Sequence, residues 1–217
     1  MVVVNSGNAN CFTGEDGIAD CDRTIEFASE ISGIPSNEIA TASTGVIGRK
    51  MPMNIILPLV KEALSKLEHS AENSTDADMS IMTTDTYHKE FAVETTVDGE
   101  KVRIGGITKG VGMIAPNMGT MLCFLATDAV ISSEMINKAL KSAVNKSFNM
   151  IVVDGDESTN DTAILMANGK SGVEVAKDGQ INEDFQEALD FICISLAKMM
   201  ARDGEGATKF IDRKSVV

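Results

Sequence analysis

Two hydrophobic periodicities occur along this chain, and together they decide its fold class. Apolar residues recur at helical spacing over residues 56–67, soon after Pro52, and again over residues 183–202. Over residues 90–104 the period is two, and Asp98-Gly99 within that segment is typical of a hairpin turn. The first pattern indicates helices and the second indicates strands. The chain is therefore predicted to be an α/β protein in which mixed sheets pack between helices.

Shorter apolar runs predict the remaining elements. Helices are expected over residues 20–31, ended by Gly33, and over residues 133–148. Buried strands are expected over three apolar runs, at residues 2–4, 121–126 and 150–153. Because the first of these runs stands at the very start of the chain, we expect an element before it that this chain lacks.

The charge of the chain argues against two classes of partner. The chain has 19 Lys and Arg against 32 Asp and Glu, which gives a net charge of -13. Its field therefore repels phosphate backbones and anionic bilayers, so neither nucleic acid nor a membrane is expected as a partner. The first residues contain no basic region and no long apolar run, so no signal peptide is expected.

The cysteines indicate the cellular compartment. There are 4 of them, scattered along the chain as Cys11, Cys21, Cys123 and Cys193. This spacing fits neither a secreted disulfide scaffold nor a metal knuckle. A chain of 217 residues with 43% apolar residues is also long enough to bury a core without crosslinks. Reduced thiols and a cytoplasmic location are therefore predicted.

A glycine-rich segment, residues 105–120, joins two of the predicted strands and has two interpretations. Residues 110–115 match the dinucleotide-binding pattern GxGxxA, which requires a helix to begin there. Pro116 follows at once and argues against that helix. The simpler interpretation is a connector, whose five glycines allow main-chain N–H groups to approach a ligand or to form a strained turn.

An acidic segment, residues 154–161, is similar to a calcium-binding loop because oxygen-bearing side chains occupy alternate positions. However, Thr159 stands at the sixth position, where such loops have glycine, and Leu165 at the twelfth, where they have glutamate. No metal is therefore expected. The alternative is a turn into a helix that begins near Asn160, with Ser158 or Thr159 as its N-cap.

Catalysis through a histidine has little support in the sequence. His69 and His88 are the only histidines, and neither belongs to a recognisable arrangement of nucleophile, histidine and carboxylate. A hydroxyl nucleophile would need another proton acceptor. A threonine that becomes a new chain N-terminus has one in its own α-amino group, whose pKa of about 7.7 to 8.0 leaves part of it neutral near pH 7.

Six segments of the chain, taken in order, are similar to motifs of a known family. In this combination they resemble the ornithine acetyltransferase family, also called the glutamate N-acetyltransferase family. The resemblance extends over nearly the whole chain, so it is far more specific than any one segment. These six motif segments are residues 5–10 (NSGNAN), 43–49 (STGVIGR), 83–86 (TTDT), 109–122 (KGVGMIAPNMGTML), 154–162 (DGDESTNDT) and 204–209 (GEGATK).

The resemblance implies a self-cleaving precursor with the layered fold of N-terminal-nucleophile enzymes. Residues 1–217 would form a single catalytic core region, cut between Gly119 and Thr120 into an α part (1–119) and a β part (120–217). Thr120 would then be the nucleophile that takes the acetyl group from N2-acetyl-L-ornithine and passes it to L-glutamate. Neither a metal nor an organic cofactor is implied.

The resemblance also implies roles for five further residues. Thr44 and Gly45 would form the oxyanion hole with a hydroxyl and a main-chain N–H. Lys109 would bind the carboxylate of the substrate, and Glu205 its amino group. Thr83, or its neighbour Thr84, would donate or accept a further hydrogen bond to the substrate.

Further expectations concern assembly and the limits of the match. The cleaved chains of the family associate into heterotetramers, and some members also accept acetyl-CoA as the acetyl donor. The family usually has alanine where Gly119 stands and proline where His88 stands. Family precursors also extend beyond both ends of this chain, so we expect it to lack part of the substrate site.

Two alternative functions stay open at this point. An aminopeptidase or amidase with the same N-terminal nucleophile would use water in place of glutamate to release the acyl group. A truncated fragment of the acetyltransferase would fold or associate without turnover.

Overall fold

The computed structural model describes residues 1–115 and 121–213 of the chain. It forms two compact units, Met1–Thr83 and Thr84–Val217. Both units combine helices with strands. The prediction of an α/β protein with mixed sheets packed against helices is therefore confirmed. The assignment of residues 1–217 to one catalytic core region stays a prediction.

The first unit is built around two parallel strands. Strand β1 (Val2–Asn5) pairs with β2 (Ala40–Ser43), and helix α1 (Gly14–Ser32) crosses between them. The strand expected at the start of the chain is confirmed, although its residues are half-buried and not fully buried. Helix α1 begins six residues before the predicted start and ends at Gly33, as expected.

Two further helices complete the first unit. Helix α2 (Met53–Ser65) begins directly after Pro52, as the apolar periodicity predicts, but it ends before Leu67, which is 74% exposed. Helix α3 (Ala71–Ile81) was not predicted, because its residues are mostly polar and form no clear apolar stripe. Its start is fixed by Ser70, whose hydroxyl accepts the Asn73 N–H.

The second unit contains a four-stranded mixed sheet. The predicted hairpin is formed by β3 (Lys89–Val97) and β4 (Glu100–Lys109), which pair antiparallel around the Asp98-Gly99 turn. Strand β5 (Leu122–Thr127) pairs antiparallel with β4, and β6 (Thr162–Ala167) pairs parallel with β5. The order across the sheet is therefore β3-β4-β5-β6.

Two helices bury the apolar face of this sheet. Helix α5 (Glu183–Arg202) contacts β3 and β4, and helix α4 (Ser133–Lys146) contacts α5. The bounds of α5 are those that its periodicity predicts, and α4 ends two residues early. Two short strands, β7 (Ala176–Lys177) and β8 (Gln180–Ile181), form a small hairpin before α5. In the described part of the chain no helix is both long and apolar enough to cross a bilayer.

Two local predictions in the second unit are wrong. The strand expected over residues 150–153 does not form; a 3-10 turn at Phe148–Met150 stands at its start. The Val153 N–H donates instead to Ile114 O (2.8 Å), in the glycine-rich segment. The helix expected near Asn160 is also wrong. The Ser158 hydroxyl does accept the Asn160 N–H, but pairing with β5 then draws the chain into β6.

Candidate functional site

In the first unit, the structure brings the first two motif segments together. Because β1 and β2 are parallel, the segments that follow them leave the same edge of the sheet. The Thr44 N–H donates to Asn5 O (3.0 Å), and the Val46 N–H donates to Gly7 O (3.3 Å). The Ala9 N–H donates to Val46 O (3.0 Å). Main-chain hydrogen bonds therefore fix the turn that contains Thr44 and Gly45.

Gly45 is required by this packing. Its φ is +128°, and a Cβ at this position would lie 2.3 Å from the Gly7 carbonyl carbon. A contact that close with main-chain atoms leaves no room for any side chain. Thr44 beside it is buried. The two residues predicted to form the oxyanion hole therefore lie on a rigid part of the unit.

Thr83 and Thr84 stand at the boundary between the units. Thr83 is the last residue of the first unit and Thr84 the first of the second, and both are exposed. This position does not distinguish the two threonines, so the substrate contact assigned to either of them stays a prediction.

In the second unit, a fully buried lysine lies between two carboxylates. The Lys89 ammonium donates to Asp85 Oδ1 (2.8 Å) and to Asp203 Oδ2 (2.6 Å). It also donates to Tyr87 O (3.1 Å), and its Nζ lies 4.7 Å from the centre of the Tyr87 ring. The three hydrogens of the ammonium thus have three acceptors. We call Asp85, Lys89 and Asp203 the ion cluster.

The ion cluster contacts the fourth motif segment through Asp85. Asp85 Oδ1 accepts the Gly110 N–H (2.9 Å), and Asp85 Oδ2 lies 3.9 Å from Lys109 Nζ. The Lys109 side chain is only 4% exposed. Burial lowers the pKa of Lys109, and the neighbouring Asp85 carboxylate opposes that change. A buried cation at the end of β4 is the group that the predicted binding of a substrate carboxylate requires.

The ion cluster also fixes the end of α5, directly before the last motif segment. The Asp203 N–H donates to Met199 O (3.2 Å), which closes the last turn of the helix. The Asp203 carboxylate accepts the Thr86 N–H (3.0 Å) and the Thr86 hydroxyl. Burial tends to raise the pKa of Asp203, but the hydrogen bonds from Lys89 and Thr86 outweigh it and hold this pKa below its usual value.

Glu205 is held against the glycine-rich segment. Its N–H donates to Val111 O (2.6 Å). A Cβ at Gly112 would lie 2.9 Å from Glu205 Oε2 and 3.6 Å from Asp154 Oδ2. Two carboxylates therefore approach the main chain at Gly112, where only hydrogen atoms fill the space. Their charge suits the amino group that Glu205 was predicted to bind.

The Asp154 carboxylate is hydrogen-bonded to the main chain of two segments. Its oxygens accept the N–H groups of Met113 (2.6 Å), Ile114 (2.9 Å) and Asp156 (3.2 Å). Burial tends to raise the pKa of Asp154, but these hydrogen bonds lower it below its usual value.

Residues 110–115 form no helix, so the dinucleotide-binding interpretation is wrong. Within residues 1–115 and 121–213, no three His, Cys, Asp or Glu side chains form a cluster able to hold a metal ion.

Asp161 supports the residue that follows the predicted nucleophile. Its Oδ1 accepts the Met121 N–H (2.9 Å). The pKa of Asp161 is raised to about 6, mainly by burial and to a smaller extent by the charge of Glu157. The hydrogen bond from the Met121 N–H acts in the opposite direction and lowers this pKa. Gly119 and Thr120, the predicted cleavage site, lie outside the described residues, so cleavage and the role of Thr120 stay predictions.

The six motif segments thus gather into two groups. The first unit holds Thr44 and Gly45, and the second holds Lys109 and Glu205. The residues that fix the second group were not predicted from the sequence. Asp85, Asp154 and Asp161 lie within the motif segments 83–86 and 154–162, and that position is the signal that could have indicated them. Lys89 gave no such signal.

The family model described as "ArgJ family" matches residues 1–215 of the chain. The chain belongs to the ArgJ family. The resemblance inferred from the six motif segments is therefore confirmed.

Curated glutamate N-acetyltransferases are similar to this chain over nearly its whole length. A glutamate N-acetyltransferase of Methanocaldococcus jannaschii is 50% identical over 213 residues, which are 97% of this chain and 52% of that protein. A glutamate N-acetyltransferase of Methanothermobacter thermautotrophicus is 51% identical over 209 residues, which are 96% of this chain and 50% of that protein. The chain spans about half the length of the curated relatives it matches.

A solved structure of the ArgJ family is similar in fold. The arginine biosynthesis bifunctional protein argJ of Bacillus halodurans superposes with a TM-score of 0.50 and 35% sequence identity. The match covers 56% of this chain and 61% of that one. The fold prediction and the family assignment therefore agree.

Lys89→Met is expected to destabilise the chain strongly. It leaves two buried carboxylates without their cation, and breaking a buried ion pair in this way costs about 3 to 5 kcal/mol. The loss is expected to shrink at lower pH, because protonation of one carboxylate removes their repulsion. Urea unfolding at several pH values measures it. Lys177→Met is the matched control, since Lys177 also lies 2.8 Å from a carboxylate but is 59% exposed, and such pairs contribute at most about 1 kcal/mol. Equal losses in the two variants would contradict the prediction.

Asp161→Asn is expected to change how stability depends on pH. The folded-state pKa of Asp161, about 6, lies above its unfolded value, so the folded state binds more protons between these values and the free energy of unfolding falls as pH rises through that window. Asparagine does not titrate but still accepts the Met121 N–H. The stability of the variant relative to the wild type should therefore increase by about 2 kcal/mol from pH 4 to pH 7.

Chemical denaturation at a series of pH values tests this expectation. Asp178→Asn, which changes an exposed carboxylate in the same unit, serves as the control. The prediction fails if the stability of Asp161→Asn relative to the wild type is independent of pH.

Proposed function

We propose that this chain carries the acetyl-transfer site of a glutamate N-acetyltransferase. The acetyl group of N2-acetyl-L-ornithine would pass through a covalent acetyl-Thr120 intermediate to L-glutamate. The observation that carries the proposal is the gathering of the six motif segments into two hydrogen-bonded groups, in a chain about half identical to curated glutamate N-acetyltransferases. One group supplies donors for an oxyanion, and the other supplies charges that match an amino acid.

The first proposed step creates the nucleophile. The Thr120 hydroxyl attacks the carbonyl carbon of Gly119, and the C–N bond of that peptide breaks as an ester forms. Water then hydrolyses the ester, which leaves a carboxylate on Gly119 and a free α-amino group on Thr120. That amine is the base that a hydroxyl nucleophile needs in a chain without a suitable histidine.

The second proposed step is a ping-pong acetyl transfer. The Thr120 amine takes the hydroxyl proton while the oxygen attacks the acetyl carbonyl, and ornithine leaves with a proton on its α-amino group. The α-amino group of glutamate, as the neutral amine, then attacks the acetyl carbonyl and the C–O bond of the ester breaks. The proton that leaves the nitrogen passes through the Thr120 amine to the Thr120 oxygen, which restores the hydroxyl. Thr44 and Gly45 would stabilise the oxyanion in both halves, for which a rigid turn is well suited because the donors need no reorganisation.

Binding of the amino-acid part of each substrate is assigned to the second unit. N2-acetylornithine and glutamate both carry an α-carboxylate, which Lys109 would bind from its position at the end of β4. Glu205, close to Asp154 at Gly112, would bind an ammonium group. Thr83 or Thr84 would add a hydrogen bond. Two charges of opposite sign make the site selective for a zwitterion.

The wider setting is proposed from the family. The cleaved α and β chains would associate into a heterotetramer in the cytoplasm, and the reaction would serve arginine biosynthesis. Acetyl-CoA is a second candidate donor. Because the chain spans half the length of its curated relatives, these properties are proposed for the whole protein to which its sequence corresponds.

Thr120→Ala is expected to abolish both cleavage and transfer. Mass spectrometry of the purified wild-type chain should give two fragments, residues 1–119 and 120–217, and the variant should stay whole. Thr120→Ser keeps a hydroxyl and should still split. Thr96→Ala, a change of an exposed threonine in β3, is the control that should cleave normally. A Thr120→Ala chain that still splits at the same bond would overturn the proposed nucleophile.

The same preparations separate the transferase from a hydrolase. Ornithine release from N2-acetylornithine should accelerate when glutamate is added, with one N-acetylglutamate formed for each ornithine. A rate of ornithine release that stays the same when glutamate is added would indicate that water accepts the acetyl group and would favour the hydrolase. A cleaved chain that releases no ornithine would favour the inactive-fragment alternative.

Thr44→Ala is expected to slow acetylation of the enzyme by about 100- to 1,000-fold, which is the usual effect of losing one oxyanion donor. Single-turnover acetylation, followed by the mass of the β chain, measures this rate. Thr44→Ser keeps the hydroxyl and should recover most of the rate. The thermal midpoints of both variants show whether the fold is intact. Equal rates for the alanine and serine variants would contradict the assigned role.

A further inference from the structure

Asp85 contacts three groups that come from different points of the second unit. Its side chain has no exposed surface. Oδ1 accepts hydrogen bonds from Lys89 Nζ (2.8 Å) and from the Gly110 N–H (2.9 Å). Oδ2 lies 3.9 Å from Lys109 Nζ. The carboxylate therefore cannot rotate without losing hydrogen bonds that are buried and hard to replace.

The contact with Lys109 differs in kind from the other two. A separation of 3.9 Å is beyond hydrogen-bond distance, so Asp85 acts on Lys109 through its charge. At that distance within a buried site the attraction is much larger than it would be in water. The charge of Asp85 thus favours the ammonium form of Lys109 without a direct hydrogen bond between them.

The charges around Lys109 explain why a carboxylate such as Asp85 is needed beside it. Lys109 is almost fully buried, and burial favours the neutral amine. The charge of Lys89 acts in the same direction, whereas that of Asp85 opposes it. Asp85 is thus a charged group that favours the ammonium form of Lys109. A neutral amine would have no charge with which to bind a carboxylate.

We infer that Asp85 is a positioning residue for Lys109, which keeps the buried ammonium charged and located at the end of β4. The identity of the anion that Lys109 binds, the α-carboxylate of an amino-acid substrate, rests on the proposed function. Asp85 does not itself contact that substrate. Its role is to act through Lys109, with Lys89 and the Gly110 N–H fixing its orientation.

Asp85→Asn tests the inference, because asparagine has nearly the same shape and still offers an oxygen to Lys89 and Gly110. The readout is the titration of Lys109 Nζ by NMR of protein with ¹⁵Nζ-labelled lysine, assigned by loss of the signal in Lys109→Arg. Without the Asp85 charge, the titration midpoint of Lys109 should fall by at least about one pH unit. This measurement does not depend on activity.

Asp203→Asn is the matched control. It also removes one carboxylate from Lys89, but its other hydrogen bonds go to Thr86. Its effect on the Lys109 midpoint should be less than half that of Asp85→Asn. An unchanged midpoint in Asp85→Asn, or an equal fall in both variants, would overturn the inference.

A second variant keeps the test decisive if Asp85→Asn does not fold. Asp85→Asn combined with Lys89→Met removes one buried charge of each sign, so the net charge around Lys109 stays as in the wild type, and Asp203 keeps its hydrogen bonds from Thr86. Because Asp85 influences Lys109 more strongly than Lys89 does, the Lys109 midpoint should still fall, by a smaller amount. A midpoint that rises or stays unchanged would overturn the inference.

A kinetic measurement separates this inference from the proposed function. At pH 8, Asp85→Asn should raise the KM for N2-acetylornithine about tenfold with a smaller change in kcat. If Asp85→Asn moves the midpoint while KM is unchanged, the positioning of Lys109 stands and its assignment to the substrate carboxylate fails.

Discussion

The second unit depends on the hydrogen bonds that the buried Lys89 ammonium donates. The ammonium joins the start of β3 to Asp85, only four residues earlier, and to Asp203, 114 residues later. A charge without exposure is strongly unfavourable unless every hydrogen has an acceptor, so the two segments that supply the acceptors, residues 85–87 and Asp203, must stay beside the ammonium. Those segments directly precede or contact the ones that carry Lys109 and Glu205. The position of both substrate-binding candidates therefore follows from the satisfaction of one cation.

The first unit fixes its candidate residues by a different means. There the turn with Thr44 and Gly45 is held by main-chain hydrogen bonds between the two motif segments, and by a contact with Gly7 that no side chain would allow. Main-chain donors suit a site that must stabilise a charge appearing only briefly, because they are neutral and already oriented. Fixed charges suit a site that must bind a permanent zwitterion. The two groups of residues thus match the two tasks proposed for them.

Segments with a periodic pattern of apolar residues could be predicted from the sequence. Segments whose structure depends on strand pairing or on buried polar side chains could not. The bounds of α5 and the β3–β4 hairpin follow from apolar spacing, because both elements pack one face on the core. Helix α3 lacks that spacing, and β6 is decided by its partner β5 and not by its own turn residues. The motif segments indicated Lys109 and Glu205 through family resemblance. Lys89 was missed because a lysine at the start of a strand suggests an exposed charge, and its two carboxylates are recognised only once the chain has folded.

This difference explains why supporting residues matter for the interpretation of the site. Lys109 on its own would be a buried amine with a lowered pKa, poorly suited to an anionic ligand. With Asp85 beside it, the same amine belongs to an arrangement of two cations and two carboxylates that is neutral before a ligand arrives. A substrate carboxylate would then bring an excess negative charge, which the ammonium of the same substrate balances near Glu205 and Asp154. Under the proposed function, a site with a cation at Lys109 and carboxylates at Glu205 and Asp154 would favour an amino acid, which carries both charges, over a simple anion or a simple amine.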